Sequence, residues 1–248
     1  MTQVLVITGA SRGIGAATAR KAASAGYAVA VNYAASPQAA QAVVNDITTN
    51  GGRAVAIQGD ISDPHQAATL FQRAEAELGP VTALFNNAGT TGPIRRVTDL
   101  DPADLRRTFE VNVFGSFYCA REAVTRMATS RGGSGGVIVN MSSRAAQLSG
   151  ANEWVHYGAS KGAIDTLTSG LAKEVAGDGI RVNAVAPGLI DTEIHERAGA
   201  PDRVDRLLPG VPMARVGSAD EVADVVMWLL GPTSSYVTGV TVDISGGR

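Results

Sequence analysis

Short apolar runs of about five residues alternate along the chain with longer segments whose apolar positions recur at helical period. This alternation is typical of a parallel β-sheet whose strands are joined by crossover helices. The short runs are rich in Val, Ile and Ala and show no polar alternation, as expected when helices cover both faces of the sheet. The predicted strands span residues 3–7, 28–32, 53–58, 81–85, 136–140, 181–186 and 240–243.

Helical segments lie between these strands, and two of them begin with a clear local signal. Asp63-Pro64 and Asp101-Pro102 each combine an N-cap residue with proline at the first helical position. The predicted helices span residues 13–25, 36–50, 64–78, 102–129, 155–176 and 219–230. The alternation of predicted strands and helices continues past the glycine-rich stretch 131–136, which therefore indicates a loop and not a domain boundary. We predict one α/β domain over residues 1–248, doubly wound and Rossmann-type, with a seven-stranded, mostly parallel sheet and helices on both faces.

Residues 190–218 break this rhythm because they are polar, contain three prolines and include no predicted strand. Loops of this length inside a compact domain are typical of lids and binding segments, so we expect a substrate loop here. The alternative is a short helical insertion that merely covers the core.

Amino-acid composition mainly excludes certain classes of protein and of binding site. The chain has 248 residues, a formal net charge of −2 and 45% hydrophobic residues, so it can bury a large core and carries no broad basic surface for nucleic acid. A single cysteine, Cys119, excludes an intrachain disulfide and a multi-cysteine zinc site, and we expect it to be a small buried side chain. With no signal-peptide pattern and no apolar stretch near ~18 residues, we expect a cytoplasmic protein without a membrane partner.

A glycine-rich turn follows the first predicted strand and leads directly into the first helix. Glycine permits a tight turn there and lets backbone N–H groups approach a pyrophosphate at the helix N-terminus. The spacing is G-x-x-x-G-x-G over residues 9–15, which differs from the commoner G-x-G-x-x-G. The residues of this candidate dinucleotide site are Gly9, Ser11, Arg12, Gly13, Ile14 and Gly15.

The end of the second strand bears on the choice of cofactor. A carboxylate at that point would favour NAD by binding the ribose hydroxyls, but the chain has Asn32 and Tyr33 there. Arg12 is placed to contact a 2′-phosphate, so we favour NADP(H), with NAD(H) as the alternative. The competing interpretation is that Arg12 is a solvated cation and that Asn32 only caps the strand.

Tyr157 and Lys161 are four residues apart at the start of a predicted helix, so both side chains can reach one small volume. A nearby cation favours the phenolate form of a tyrosine that acts as a proton donor and acceptor. Ser142 and Ser143 follow a predicted strand at the edge where open α/β sheets bind ligands. A serine there can polarise a carbonyl; we favour Ser143, with Ser142 as the alternative.

These motifs, taken in order, resemble the classical short-chain dehydrogenase/reductase family over nearly the whole chain. The resemblance rests on the turn at 8–15, the N-N-A-G sequence at 86–89, Asn112 within Val-Asn-Val, and Ser143 with Tyr157-x-x-x-Lys161. It extends to Pro187-Gly188 with Thr192 and to the segment 236–247. One departure is that Ser143 precedes Tyr157 by fourteen positions, where many members of the family have thirteen.

The resemblance implies an oxidoreductase that transfers hydride between a nicotinamide and a carbonyl or secondary alcohol. Tyr157 would be the general acid/base, Lys161 would lower its pKa and bind the nicotinamide ribose, Ser143 would orient the substrate, and Asn112 would hold a proton-relay water. The expected cofactor contacts beyond the turn are Asn32, Tyr33, Asp60, Ile61, Asn87, Ala88, Gly89, Tyr157, Lys161, Pro187, Gly188, Ile190 and Thr192. The resemblance further implies a homotetramer.

Substrate identity stays open at this stage. Sugar 1-dehydrogenases and 3-oxoacyl-[acyl-carrier-protein] reductases are the most similar branches, and a catalytically silent dinucleotide-binding regulator or scaffold is the alternative from another class. No metal is expected, because His65 and His195 have no partners at ligand spacing. We interpret His156 as a rim or packing residue. The arginines at 95, 96, 106 and 107 indicate a solvated face, with a carrier protein or phosphorylated substrate as the alternative ligand.

Overall fold

In the computed structural model, which describes residues 3–192 and 202–248, seven strands form one sheet in the order β3-β2-β1-β4-β5-β6-β7. Every pairing within it is parallel, where the sequence predicted a mostly parallel sheet. The strands are β1 (Val4–Ile7), β2 (Ala28–Tyr33), β3 (Arg53–Gln58), β4 (Val81–Asn86), β5 (Gly136–Met141), β6 (Ile180–Pro187) and β7 (Thr241–Ile244). Strands β2 and β3 are added on one side of β1, and β4 to β7 are added on the other side, so the strand order reverses between β1 and β4. Open parallel sheets have a crevice at such a switch point.

Helices cover both faces of this sheet, so the predicted doubly wound architecture is confirmed. The helices are α1 (Gly13–Ser24), α2 (Pro37–Thr49), α3 (Pro64–Leu78), α4 (Pro102–Phe109), α5 (Gly115–Met127), α6 (Ala145–Leu148) and α7 (Val155–Val175), followed by Arg203–Leu207 and Ala219–Leu230. Asp63 and Asp101 cap α3 and α4 with their side chains, as the Asp-Pro pairs predicted.

The core consists of two apolar layers, one on each side of the sheet. On one side α1, α2 and the helix Ala219–Leu230 pack against residues such as Ile7 and Phe85. On the other side α3, α5 and α7 pack against Leu84 and Ile138, and the fully buried Cys119 lies in this layer as expected. Because both faces of the strands are buried, the polar ends of the strands are where functional groups can face solvent.

The single helix predicted over residues 102–129 is wrong in one respect. Between α4 and α5 the residues Glu110–Phe114 form a π-helical turn. The extra residue shifts the phase of the apolar pattern by about 100°, but the spacing of apolar residues over so short a segment does not distinguish a π-helical turn from an α-helical one. Such turns are frequent at functional sites, and this one contains Asn112. The short helix α6 was also not predicted.

The predicted substrate loop is closed at its base by a bridge between Ile190 and Gly217. After residues 193–201, which include His195 and lie outside the described residues, the chain returns through the helix Arg203–Leu207 and the 3₁₀ turn Leu208–Gly210. Within the described ranges, no helix is long and apolar enough to cross a membrane.

Candidate active site

A cleft of about 1410 Å³ opens at the carboxyl ends of the strands, beside the switch point. Nearly all of the residues that the sequence singled out line it, although they are spread over most of the chain. The predicted residues on its walls are Gly9, Ser11, Arg12, Gly13, Ile14, Asn32, Tyr33, Asp60, Ile61, Asn87, Ala88, Gly89, Ser143, Tyr157, Lys161, Pro187, Gly188, Ile190 and Thr192. Gly15 and Asn112 are not among the lining residues.

The glycine turn is shaped for close approach of the backbone. Gly9 has a φ of +61°, and a Cβ atom on it would lie 2.9 Å from the Cα atom of Ala88. A Cβ atom on Gly15 would lie 2.6 Å from Nδ2 of Asn87, which donates hydrogen bonds to the carbonyls of Thr8 and Gly9 at 2.9 and 3.0 Å. The Asn87 amide therefore fixes the turn through two of its carbonyl groups. The N-terminus of α1 faces the cleft, an arrangement that fits a pyrophosphate.

Asn32 supports this turn with its side chain. Its Oδ1 atom accepts from the Gly9 N–H at 3.1 Å, and its Nδ2 atom donates to the carbonyls of Ile57 and Gly59. The amide is thus used in joining β2 to the turn and to the end of β3. Nearby, the guanidinium of Arg12 donates to the hydroxyl of Ser36, so both groups lie together beyond the end of β2.

Asp60 is held by a side chain that the sequence did not connect with it. Arg107 of α4 donates to Oδ2 of Asp60 at 2.8 Å and to the Ser62 hydroxyl at 2.8 Å, and Ser62 donates to Oδ1 of Asp60 at 2.7 Å. Burial alone would raise the pKa of Asp60, but the hydrogen bonds from Ser62 and Arg107 outweigh it and lower the pKa. Part of the supposed solvated arginine face is therefore a wall of the cleft.

Tyr157 lies near the start of α7, where its partly buried phenol faces Ser143 at the end of β5. Burial raises the pKa of Tyr157 above its usual value, and a hydrogen bond with Ser143 and the charge of Arg203 act against that increase. Ser142 is turned the other way, since its hydroxyl lies 3.4 Å from the Lys161 carbonyl within the protein. Of the two candidate serines, Ser143 is thus the one next to the phenol.

Lys161 is buried one helical turn after Tyr157. Its ammonium donates to the Met141 carbonyl at 2.7 Å and lies 5.7 Å from the centre of the Tyr157 ring. Burial lowers the pKa of Lys161 to about 8, and the charge of Asp165 acts in the opposite direction. A lysine with this pKa carries its charge at neutral pH and loses it in mildly alkaline solution.

Asn112 lies beneath the cleft and joins three parts of the site. Its Oδ1 atom accepts from the Thr90 N–H at 2.8 Å, while its Nδ2 atom donates to the Thr90 carbonyl at 2.8 Å and to the Ser160 hydroxyl at 2.9 Å. Ser160 in turn donates to the Tyr157 carbonyl at 2.7 Å. The π-helical turn thus fixes the loop after β4 and the first turn of α7 in one network.

Residues near the opening of the cleft extend the site beyond the predicted set. His156 is buried under Thr91 and Gly92, where burial lowers its pKa, so it packs against the wall as expected. Glu153 accepts hydrogen bonds from Arg203 and Arg206 of the returning loop. No sequence signal identified this ion-pair group, because its partners are about fifty positions apart and no local pattern joins them.

Comparison with known proteins places this geometry in context. Residues 9–248 match the family model described as enoyl-(acyl carrier protein) reductase. An uncharacterised oxidoreductase of Escherichia coli, YgfF, is 51% identical over 99% of both chains. A chloroplastic NADPH-dependent aldehyde reductase-like protein of Arabidopsis thaliana is 36% identical over 99% of this chain and 93% of its own. A 3-oxoacyl-[acyl-carrier-protein] reductase of Synechocystis is 35% identical over 99% and 96%.

Solved structures give the same result at the level of the fold. A short-chain dehydrogenase/reductase from Serratia marcescens superimposes with a TM-score of 0.91 at 35% identity, over 99% of this chain and 97% of that one. The chain belongs to the short-chain dehydrogenase/reductase family. A second member, a blue fluorescent protein from a metagenomic library solved in complex with NADPH, superimposes with a TM-score of 0.90 at 34% identity and the same coverage. Members of this family are NAD(P)-dependent oxidoreductases, and so is this chain.

Proposed function

We propose that the protein is an NADP(H)-dependent oxidoreductase that interconverts a carbonyl group and a secondary or primary alcohol. The observation that carries this proposal is the group formed by Ser143, Tyr157 and Lys161 at the carboxyl edge of the sheet, next to the glycine turn. A phenol hydrogen-bonded to a serine hydroxyl, with a buried ammonium beside it, is suited to proton transfer at a substrate oxygen.

Each of these side chains has a separate role at or near the substrate oxygen. The dinucleotide, when bound, supplies or accepts the hydride. Ser143 donates a hydrogen bond to the carbonyl oxygen and fixes its position, while Tyr157 donates the proton that completes the alcohol. The positive charge of Lys161 stabilises the phenolate left behind, and Asn112 keeps Thr90 and α7 in register around it. In the direction of oxidation, Tyr157 takes the proton back.

The preference for NADP(H) follows from charge at the end of β2. Arg12 and Ser36 lie together there, and no carboxylate follows the strand to repel a 2′-phosphate or to bind a free ribose hydroxyl. The NADPH complex of the metagenomic relative supports the same preference. We expect Arg12→Gln to lower kcat/KM for NADPH roughly tenfold or more and to leave that for NADH within about twofold. An equal loss with both cofactors would contradict this assignment.

The central test is the pair of variants Tyr157→Phe and Tyr33→Phe, measured on a panel of sugars, 3-oxoacyl thioesters and small ketones and aldehydes. Loss of the Tyr157 hydroxyl should reduce turnover by at least about 10²-fold, the usual contribution of general acid catalysis, with NADPH binding retained. Tyr33→Phe removes a phenol at the expected adenosine end of the cleft, so it controls for an effect on cofactor binding and should leave turnover at saturating NADPH within about twofold. If NADPH binds but wild-type protein turns over no member of the panel, a catalytically silent dinucleotide-binding protein becomes the better description.

We also propose that the chain self-associates, as the family resemblance implies. Phe114 at the end of the π-helical turn and Phe117 on the outer side of α5 are each about half exposed, at 48% and 49%, and Leu105 of α4 is 41% exposed. Two large aromatic side chains at neighbouring positions are unusual on a free helix surface. Light scattering should give the mass of a tetramer, and replacing both phenylalanines with glutamine should reduce it. A monomer at micromolar concentration would refute the proposal.

A further inference from the structure

Four arginines line the cleft close to Tyr157, and none of them belongs to the expected cofactor contacts. They are Arg95, Arg203, Arg206 and Arg248, which we call the arginine cluster. The first follows the loop after β4, the next two belong to the returning helix of the substrate loop, and the last follows β7. Three distant parts of the chain therefore bring guanidinium groups to this cleft.

Glu153 is the acidic centre of this cluster. Its carboxylate accepts from Arg203 at 3.1 Å and also from Arg206, and its main-chain carbonyl accepts from the Arg95 N–H at 2.9 Å. Burial would raise the pKa of Glu153, but the hydrogen bonds from the two arginines outweigh it and lower the pKa. One carboxylate thus holds two guanidinium groups of the returning helix together at this cleft.

The other two members of the cluster bring further guanidinium groups to the cleft. The guanidinium of Arg95 is exposed and donates to the main-chain carbonyl of Ile94. Burial lowers the pKa of Arg203, and the charges of Arg248 and Arg206 lower it further, so Arg248 lies within electrostatic reach of the trio. Arg144 nearby is different, because it is balanced by Asp243.

The cluster is linked to the reacting phenol through Trp154. The guanidinium carbon of Arg203 lies 4.1 Å from the centre of the Trp154 ring, and that ring meets Tyr157 edge-on at 6.1 Å between centres. The charge of Arg203 also reaches Tyr157, whose pKa it lowers against the effect of burial. A group bound by these arginines therefore lies on the Tyr157 side of the cleft, separated from the phenol by about the width of the Trp154 ring, and not at the adenosine end, where Arg12 and Arg107 lie.

The cleft lining also includes apolar residues next in sequence to members of the cluster or close to Tyr157 along the chain, namely Ile94, Leu207, Leu148 and Trp154. We propose that the substrate is a carbonyl compound with an apolar body and a terminal anionic group, a carboxylate or a phosphate, that binds the arginine cluster. Guanidinium groups recognise both anions through paired, charge-assisted hydrogen bonds. The proposal rests on the proposed function, because it names the substrate class of the same site.

The test compares matched aldehydes that differ in charge. With NADPH saturating, 4-formylbenzoate should have a kcat/KM roughly tenfold or more above its neutral methyl ester, mainly through a lower KM, and this advantage should shrink at high salt. A second arm, 4-formylphenyl phosphate against 4-methoxybenzaldehyde, distinguishes a phosphate-binding site from a carboxylate-binding site. Equal or better turnover of both neutral compounds would overturn the proposal.

Variants on the surface of the protein make the test specific. Arg206→Gln and Arg95→Gln should each lower kcat/KM for the anionic aldehyde roughly three- to thirtyfold and leave the neutral ester within about twofold. Arg96→Gln, an exposed neighbour that does not line the cleft, is the matched control and should change neither. Equal losses for the acid and the ester would show a structural effect and would contradict anion binding.

A binding measurement separates the two proposals from each other. If neither these aldehydes nor any member of the substrate panel is turned over, the proposed function fails, and calorimetric titration of 4-formylbenzoate into the NADPH-saturated protein still tests the anion site. Weaker binding to Arg206→Gln than to wild type would support the site without turnover. Equal affinity for the two proteins, or no binding to either, would overturn it.

Discussion

Replacing Asn112 with leucine tests whether the π-helical turn organises the site. Leucine has nearly the same volume, but it makes none of the three hydrogen bonds of the asparagine amide. The Thr90 N–H and carbonyl would both lose their partner at a position where Asn112 is fully buried. Ser160 would lose less, because its hydroxyl keeps its hydrogen bond to the Tyr157 carbonyl.

The expected loss of stability follows from these contacts. A buried polar group left without a partner costs about 1–3 kcal/mol, so the two groups of the half-buried Thr90 give at most about 2–6 kcal/mol in the free energy of unfolding. This is a large part of the 5–15 kcal/mol that is typical of a domain. Ser160→Ala removes both the acceptor for Asn112 and the donor to the Tyr157 carbonyl, and should cost about 1–2 kcal/mol.

Urea unfolding at fixed protomer concentration measures both variants, with Asn45→Leu on the exposed side of α2 as the matched control. Amide hydrogen exchange adds a local measurement, since the Thr90 N–H should be protected in wild type and should exchange faster in Asn112→Leu. The reasoning is refuted if Asn112→Leu unfolds within about 0.5 kcal/mol of wild type, or if the Thr90 amide keeps its protection.

Three further predictions concern separate parts of the molecule. Because the pKa of Lys161 is lowered to about 8, its charge is present below that pH and lost above it, so kcat/KM for carbonyl reduction should fall above pH 8. Arginine stays protonated, so in Lys161→Arg a pH–rate profile should show this decline at clearly higher pH, and an unmoved decline would assign it to another group. Arg107→Gln removes the ion pair that fixes Asp60 and should raise the dissociation constant for NADPH roughly three- to thirtyfold in a fluorescence titration, whereas unchanged affinity would mean that the pair is only structural. Ser218→Ala removes the capping box of the helix Ala219–Leu230 and should lower the free energy of unfolding by ~1 kcal/mol in urea, with activity unchanged.

The sheet could be predicted from the sequence because each strand is buried on both faces and reads as an apolar run. No observed strand boundary differs from the predicted one by more than one residue; β3 agrees at both ends, and β6, predicted over 181–186, extends over Ile180–Pro187. The turn at Gly9 was equally visible, because backbone that must approach a neighbour such as Ala88 at 2.9 Å requires glycine. In both cases the structure restricts which residue types can stand at a few neighbouring positions, so the restriction is visible in the local sequence.

The parts that could not be predicted depend on contacts between distant residues. Asp60 and Arg107 are 47 positions apart, and Glu153 and Arg206 are 53 apart, so neither pair forms a pattern that can be read along the chain. The π-helical turn was missed for a related reason. It is stabilised by the contact of Asn112 with Thr90 across the fold, while the sequence around it has ordinary helical period.

The π-helical turn also makes the segment 110–114 unusually sensitive to a change in length. A residue in an α-helix occupies about 100° of rotation, so deleting one residue here would turn α5 by that amount relative to α4. Cys119 and Met127, which face the core, would then rotate toward solvent, and Phe117 would rotate away from the outer surface. Point substitutions on the outer side of α5 should be tolerated far better than any insertion or deletion in this turn. The number of residues in this turn therefore determines both the position of Asn112 in the active site and the direction in which the outer face of α5 points.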